Sequence, residues 1–142
     1  MIRGEKVSMR LLERKDGEYL HAWLTDPDFT GPHEPPHQVT QQELERTYLN
    51  LRDERWWVIT NNKRTRVGLV TNRLKKRFQE IKLYIVPEER GKGYASEAVK
   101  LIVDHLFLNL NIERVQAMSS PNNKTVLRVL KRRARRQTQK TH

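Results

Sequence analysis

The stretch from Ile81 to Asn109 constrains the fold more than any other part of the chain. Ile81-Lys82-Leu83-Tyr84-Ile85-Val86 is rich in β-branched and aromatic residues and is closed by Pro87, which reads as a strand. From Tyr94 to Asn109, Ala95, Ala98, Val99, Ile102 and Leu106 recur at the spacing of one buried helical face. Between the two stand Gly91 and Gly93, so the strand runs through a short loop directly into the helix. Val115-Gln116-Ala117-Met118 follows as a short strand. Strand, long helix and strand in this order predict two parallel strands joined by a right-handed crossover.

The rest of the chain supplies the other elements. Val7-Ser8-Met9-Arg10-Leu11-Leu12 begins with alternation and predicts a strand. Asp16 is placed to cap a helix whose Tyr19, Leu20, Trp23 and Leu24 share a face. Asp26-Pro27-Asp28 and Gly31-Pro32-His33-Glu34-Pro35-Pro36 predict an extended, turn-rich loop. Thr40 followed by Glu43 resembles a capping box, opening a helix to about Leu51 with Leu44, Tyr48 and Leu51 as its stripe. Strands are predicted at 55–60 and 67–71 around the turn Asn61-Asn62-Lys63-Arg64, with Trp23, Trp56 and Trp57 in core or sheet-face positions. A last helix is expected from Thr125 to about Arg136. No internal repeat is visible. The order β-α-α-β-β-β-α-β-α predicts an α/β fold of the α+β mixed kind, a central mixed sheet flanked by helices. One domain over residues 1–131 and a basic tail at 132–142 are expected from the 142-residue length.

Composition narrows the function. The chain has no cysteine, which excludes disulfides and thiolate chemistry. No run reaches the roughly 18 apolar residues of a membrane helix, and the first residues lack the apolar core of a secretory signal. A cytoplasmic protein without a membrane role is expected. Net charge is +11, but eight basic and no acidic residues stand from Lys124 onward, which leaves only +3 for residues 1–123. Such a tail reads as a solvated end able to touch polyanions non-specifically. A nucleic-acid-binding protein is an alternative on this ground, though no helix-turn-helix, zinc or aromatic RNA-binding pattern accompanies the tail.

The loop carries the chemistry. Two glycines permit close backbone approach, and the first amides of the helix lack internal partners at the positive end of its dipole. Together they form a cradle for phosphate or pyrophosphate, with Arg90 and Lys92 adding charge. The spacing is neither Gly-x-Gly-x-x-Gly nor Gly-Lys-Ser/Thr. From spacing alone, a plain strand–turn–helix corner remains open.

Arg90-x-x-Gly93-x-Ala95 resembles the Arg/Gln-x-x-Gly-x-Gly/Ala signature of the GNAT acetyltransferase superfamily. The longer run Val86-Pro87-Glu88-x-Arg90-Gly91-Lys92-Gly93-Tyr94-Ala95-x-Glu97-Ala98 is similar to the branch of the ribosomal-protein N-terminal (alanine) and spermidine acetyltransferases. So are Arg3-Gly4-Glu5-Lys6-Val7-Ser8-Met9-Arg10-Leu11-Leu12-Glu13 and Asn123-x-x-x-x-Arg128-Val129-Leu130. The resemblance implies acetyl-CoA as cosubstrate, its pyrophosphate on the amides of Gly91, Lys92, Gly93, Tyr94, Ala95 and Ser96; no metal is expected. It implies pantetheine lying beside Ile85 and Val86 at a splay between parallel strands, with Asn123 on the same arm. The reaction implied is direct acetyl transfer to a primary amine of a protein N-terminus, a polyamine or a small molecule. A catalytically weak CoA-binding relative is the alternative.

For the chemistry, the amide of Val86 or Ile85 would polarise the thioester carbonyl. Glu80 is the expected base: it occupies the place of a glutamate common in this branch, and lies four residues before Tyr84, on the same strand face. A structural role beside Lys82 or Arg73 is the alternative for Glu80. His33, Glu34 and His37 fall in the loop that forms part of the acceptor site in this family, with Tyr84 facing it. Pro35-Pro36 denies the two histidines the helix that a metal pair would want. The basic surface favours an acidic acceptor over a polycation. Two departures stand out: Val126 replaces a serine, and Leu130 a tyrosine that some branches use as acid. The polar run after Lys131 replaces a closing hairpin, so the C-terminus reads as truncated; a shifted reading frame, a covering partner such as a second copy, or tolerance of the loss would each account for it.

Overall fold

The computed structural model describes residues 1–32, 34–75, 78–109 and 114–117. Among these residues the sheet has six strands: β1 (Ile2–Arg3), β2 (Val7–Leu11), β3 (Glu54–Asn61), β4 (Arg66–Lys75), β5 (Phe78–Ile85) and β6 (Arg114–Ala117). Neighbours in space follow the order in sequence. The first five strands pair antiparallel, as short connections require, and β6 lies parallel to β5 after the long helix. The helices are α1 (Gly17–Leu24), α2 (Pro27–Thr30), α3 (Gln41–Tyr48) and α4 (Tyr94–Asn109). This is the expected mixed α/β architecture.

Each sheet face has its own core. On one side α4 buries Ala98, Val99, Ile102, Val103 and Leu106 against Val7, Met9, Trp57, Ile59, Ile81, Leu83 and Ile85. On the other, Leu20 and Leu24 of α1, Phe29 of α2 and Leu44 of α3 pack on Trp56, Leu69 and Tyr84. β5 feeds both: Ile81, Leu83 and Ile85 face α4, while Tyr84 faces the smaller helices. Its alternation turns Glu80, Lys82 and Tyr84 to the cleft described below.

Differences from the sequence reading have local causes. β1 is a two-residue strand paired with β2, too short to show a period. The segment expected to be extended from Asp26 opens instead into α2, with the Asp26 carboxylate accepting from the Asp28 amide at 2.9 Å and Pro27 at the first helical position. Thr40 caps α3 through the Glu43 amide at 3.2 Å, and the helix ends at Tyr48 rather than Leu51. Asp16 stands at the N-cap of α1, yet its carboxylate makes no cap; it is taken by arginines. The predicted last helix, Asn123 and the tail lie outside the described residues, as does His33. Among the described residues no helix is long and apolar enough to cross a membrane.

Candidate active site

β5 ends at Ile85, a 3-10 turn spans Pro87–Glu89, and α4 begins at Tyr94. The intervening loop depends on its glycines: Gly91 has φ 80° and Gly93 φ 84°, a region where other residues are strained. The first amide of α4 to find a partner is that of Glu97, which donates to the Gly93 carbonyl at 3.3 Å. The amides of Tyr94, Ala95 and Ser96 precede it at the helix end and have no backbone partner among the described residues. A Cβ placed on Gly91 would meet nothing within 4 Å, so the loop presents its backbone openly. These features suit a diphosphate.

The two motif cations are tied to protein groups. Arg90 donates through Nε to the Ile85 carbonyl at 3.0 Å and through a terminal nitrogen to the Asp28 carbonyl at 2.9 Å. It thereby fastens the loop to both β5 and α2. Lys92 pairs with Glu89 at 2.7 Å, a hydrogen bond that raises the ammonium's affinity for its proton.

The two backbone donors proposed at the end of β5 are not equivalent. Val86 donates to the Val67 carbonyl at 2.9 Å and is therefore spent on β4. In an antiparallel ladder neighbouring residues point their polar groups to opposite sides, so the Ile85 amide faces away from β4. On that side the described pairing with β6 stops at Ile81 and Ala117.

The other face of the same strands forms a cleft of about 210 Å³. Strand register writes its floor in rows: Glu54 of β3 opposite Arg73 of β4 opposite Glu80 of β5, then Trp56, Thr71 and Lys82. Tyr84 comes next, and Glu34, His37 and Tyr48 close the side. The Tyr84 hydroxyl donates to Glu34 in a short hydrogen bond. Burial first, and then that carboxylate, hold the Tyr84 phenol well above its ordinary pKa, so it stays a donor. Glu34 also lies 3.8 Å from Lys82 and 3.9 Å from His37. Glu54 accepts from the Trp56 indole at 3.0 Å. Behind Tyr84, Phe29 stacks at 5.3 Å and Trp23 stacks on Phe29 at 5.1 Å, which fixes the ring. Three carboxylates and three aromatic rings thus line the cleft, against Arg73 and Lys82.

The family described as an acetyltransferase (GNAT) domain matches residues 6–133. The chain belongs to this GNAT family. Spermidine N(1)-acetyltransferase of Escherichia coli K12 is 27% identical over 139 residues, covering 93% of this chain and 74% of that protein. The spermidine N(1)-acetyltransferase of Vibrio cholerae is 26% identical over 121 residues, covering 79% of this chain and 68% of its own length. The uncharacterized N-acetyltransferase p20 of Bacillus licheniformis is 26% identical over 136 residues, covering 89% and 76%. A crystal structure of spermidine N-acetyltransferase from Vibrio cholerae with CoA and spermine superposes with TM-score 0.76 at 22% identity, over 91% of this chain and 80% of that one, a likeness of fold. The GNAT chain is accordingly an N-acetyltransferase acting on an amine.

Within this GNAT domain, Gly91, Lys92, Gly93, Tyr94, Ala95 and Ser96 sit together at the start of α4, with Arg90, Ile85 and Val86 immediately before. Glu34, Tyr84 and Glu80 line one cleft, although Glu80 lies at the other end of β5 from the loop. Sequence reasoning missed Glu54 and Tyr48 as cleft residues, and the sheet-face position expected for Trp56 is on the cleft floor. For Glu54 and Trp56 the signal was the alternation of β3, which becomes informative only with its register to β4; Tyr48 ends α3. Sequence reasoning also missed Lys6, whose ammonium lies 2.7 Å from the position a Cβ on Gly93 would take.

Proposed function

We propose that this GNAT protein moves the acetyl group of acetyl-CoA directly to a primary amine of a polycationic acceptor such as a polyamine. The cofactor side rests on the open loop: amides from Gly91 to Ser96 hold the diphosphate, and the Ile85 amide polarises the thioester carbonyl. Asn123 is carried over from the family for the pantetheine arm. The acceptor side rests on one observation above all, the acidic and aromatic lining of the cleft. Carboxylates pair with ammonium groups, and the rings of Trp56, Tyr48 and Tyr84 suit the methylene and cationic parts of a polyamine. The sequence reading favoured acidic acceptors from the +11 net charge. An acceptor, however, meets the cleft rather than the whole surface, and the cleft holds Glu34, Glu54 and Glu80.

In this scheme Glu80 takes a proton from the acceptor ammonium through water in the cleft, the neutral amine attacks the thioester carbonyl, the C–S bond breaks, and coenzyme A leaves as a thiolate that takes up the second amine proton through solvent. Glu34 holds the Tyr84 hydroxyl and orients the cleft wall. Residues 1–131 act as the catalytic domain, with 132–142 a basic tail open to non-specific polyanion contact. A second copy covering the β6 edge fits the same picture; the Vibrio cholerae relative is described as dodecameric. Thiol release from acetyl-CoA tests the proposal across spermidine, spermine, an N-terminal peptide and an aminoglycoside. Turnover is expected to be fastest with the polyamines, and Glu80→Gln is expected to lower kcat by about a hundredfold or more. Turnover with none of these amines, or preference for the peptide, would contradict it.

A further inference from the structure

The cofactor loop needs charge compensation that its own side chains do not supply. A diphosphate brings two negative charges, while Arg90 is bonded to the carbonyls of Ile85 and Asp28 and Lys92 to Glu89. Among the described residues, a cation from the other end of the chain stands against the loop at Gly93. Lys6 stands within the tight turn between β1 and β2 that the Gly4 amide closes by donating to the Val7 carbonyl at 2.8 Å. Its Nζ would stand 2.7 Å from a Cβ on Gly93, and the same Cβ would find no other heavy atom as near.

This position is built rather than incidental. The Glu97 carboxylate, in the first turn of α4, accepts from the Lys6 amide at 2.8 and 3.0 Å and from the Val7 amide at 3.2 Å. The β1–β2 turn is thereby clamped to the helix end whose leading amides lack partners. Glu97 uses both oxygens on that turn, which leaves the approach over Gly93 to an ammonium. An ammonium is a compact charge with rotatable donors, suited to bridging oxygens of two adjacent phosphates.

The geometry points to Lys6 as a cofactor-binding residue whose ammonium bonds the diphosphate of acetyl-CoA, with Glu97 as the positioning residue that holds it there. The inference rests on the acetyl-CoA reading above. Two phosphate sources exist in coenzyme A, the diphosphate and the ribose 3′-phosphate, and the inference commits to the diphosphate.

Calorimetric titration of the full chain with CoA and with dephospho-CoA separates the possibilities. Lys6→Met, which keeps the apolar stem, is expected to weaken CoA binding roughly tenfold, the usual scale for one charge-assisted hydrogen bond. Lys6→Arg is expected to restore most of the affinity, and Glu97→Gln to lose part of it. Raising salt should weaken the wild type more steeply than Lys6→Met. The loss should persist with dephospho-CoA. Equal binding by wild type and Lys6→Met overturns the inference while leaving the acetyltransferase reading intact. Disappearance of the loss with dephospho-CoA also overturns it, by assigning Lys6 to the 3′-phosphate. A wild type that binds no CoA overturns both.

Discussion

Asp16 has only 1% of its surface exposed, so its charge has to be compensated within the protein. Arg10 does so with two hydrogen bonds of 2.7 Å, Arg66 with one of 2.9 Å, and the Glu13 amide with one of 2.8 Å. Burial alone would raise the carboxyl pKa; the Arg10 bond, the Glu13 amide and Arg66 outweigh it and hold it at about 2, below the ordinary 3.8. A depressed pKa means that the stabilisation is complete above pH 3.8 and is lost as pH falls towards 2. It amounts to about 2 kcal/mol. Asp16→Asn is therefore expected to lower the urea midpoint by the equivalent of about 3 kcal/mol at pH 7 and to flatten the acid limb of the stability curve. An unchanged acid limb would contradict this. The sequence placed Asp16 correctly in the chain but assigned it a helix cap. Of its two arginine partners, Arg10 is six residues away on a strand and Arg66 fifty, and helix-cap spacing carries no trace of either pair.

At the scale of elements, β5, the loop and α4 were readable because each obeys a local rule: alternation, glycine and helical period. The helix bounds Tyr94–Asn109 coincide with the pattern. Strands were read short at the ends where polar residues enter, as at Phe78-Gln79-Glu80 of β5. The two glycines give the loop a graded test. Gly91 and Gly93 share a positive φ, but only Gly93 has a neighbour, Lys6, where a Cβ would go. Gly91→Ala should cost conformational strain of about 1 kcal/mol in the loop and weaken CoA modestly. Gly93→Ala adds displacement of Lys6 and should weaken CoA more. Calorimetry would show the order, and the reverse order would contradict the loop geometry described above.

At the scale of the molecule, the charge of the whole and the charge of the cleft differ in sign of influence. The chain carries +11, concentrated towards its C-terminus, whereas the cleft gathers Glu34, Glu54 and Glu80 through the registers of β3, β4 and β5. Composition exposes the first and conceals the second, because register is a long-range property of the sheet. The two have opposite consequences for a polyamine acceptor. If the cleft governs, added salt screens attraction and raises KM for spermidine, and Glu54→Gln raises it further. If the surface governs, salt screens repulsion and lowers KM. A rise is expected, and steady-state kinetics between low and physiological salt would decide it.

The central claim is that the amides from Gly91 to Ser96 hold the diphosphate of coenzyme A. Amide chemical shifts of the ¹⁵N-labelled protein during titration with CoA read those groups one by one. The account predicts that Gly91, Gly93, Ala95 and Ser96 show the largest downfield shifts, saturating together. Saturable binding with these amides unmoved, and the large shifts elsewhere, would contradict it.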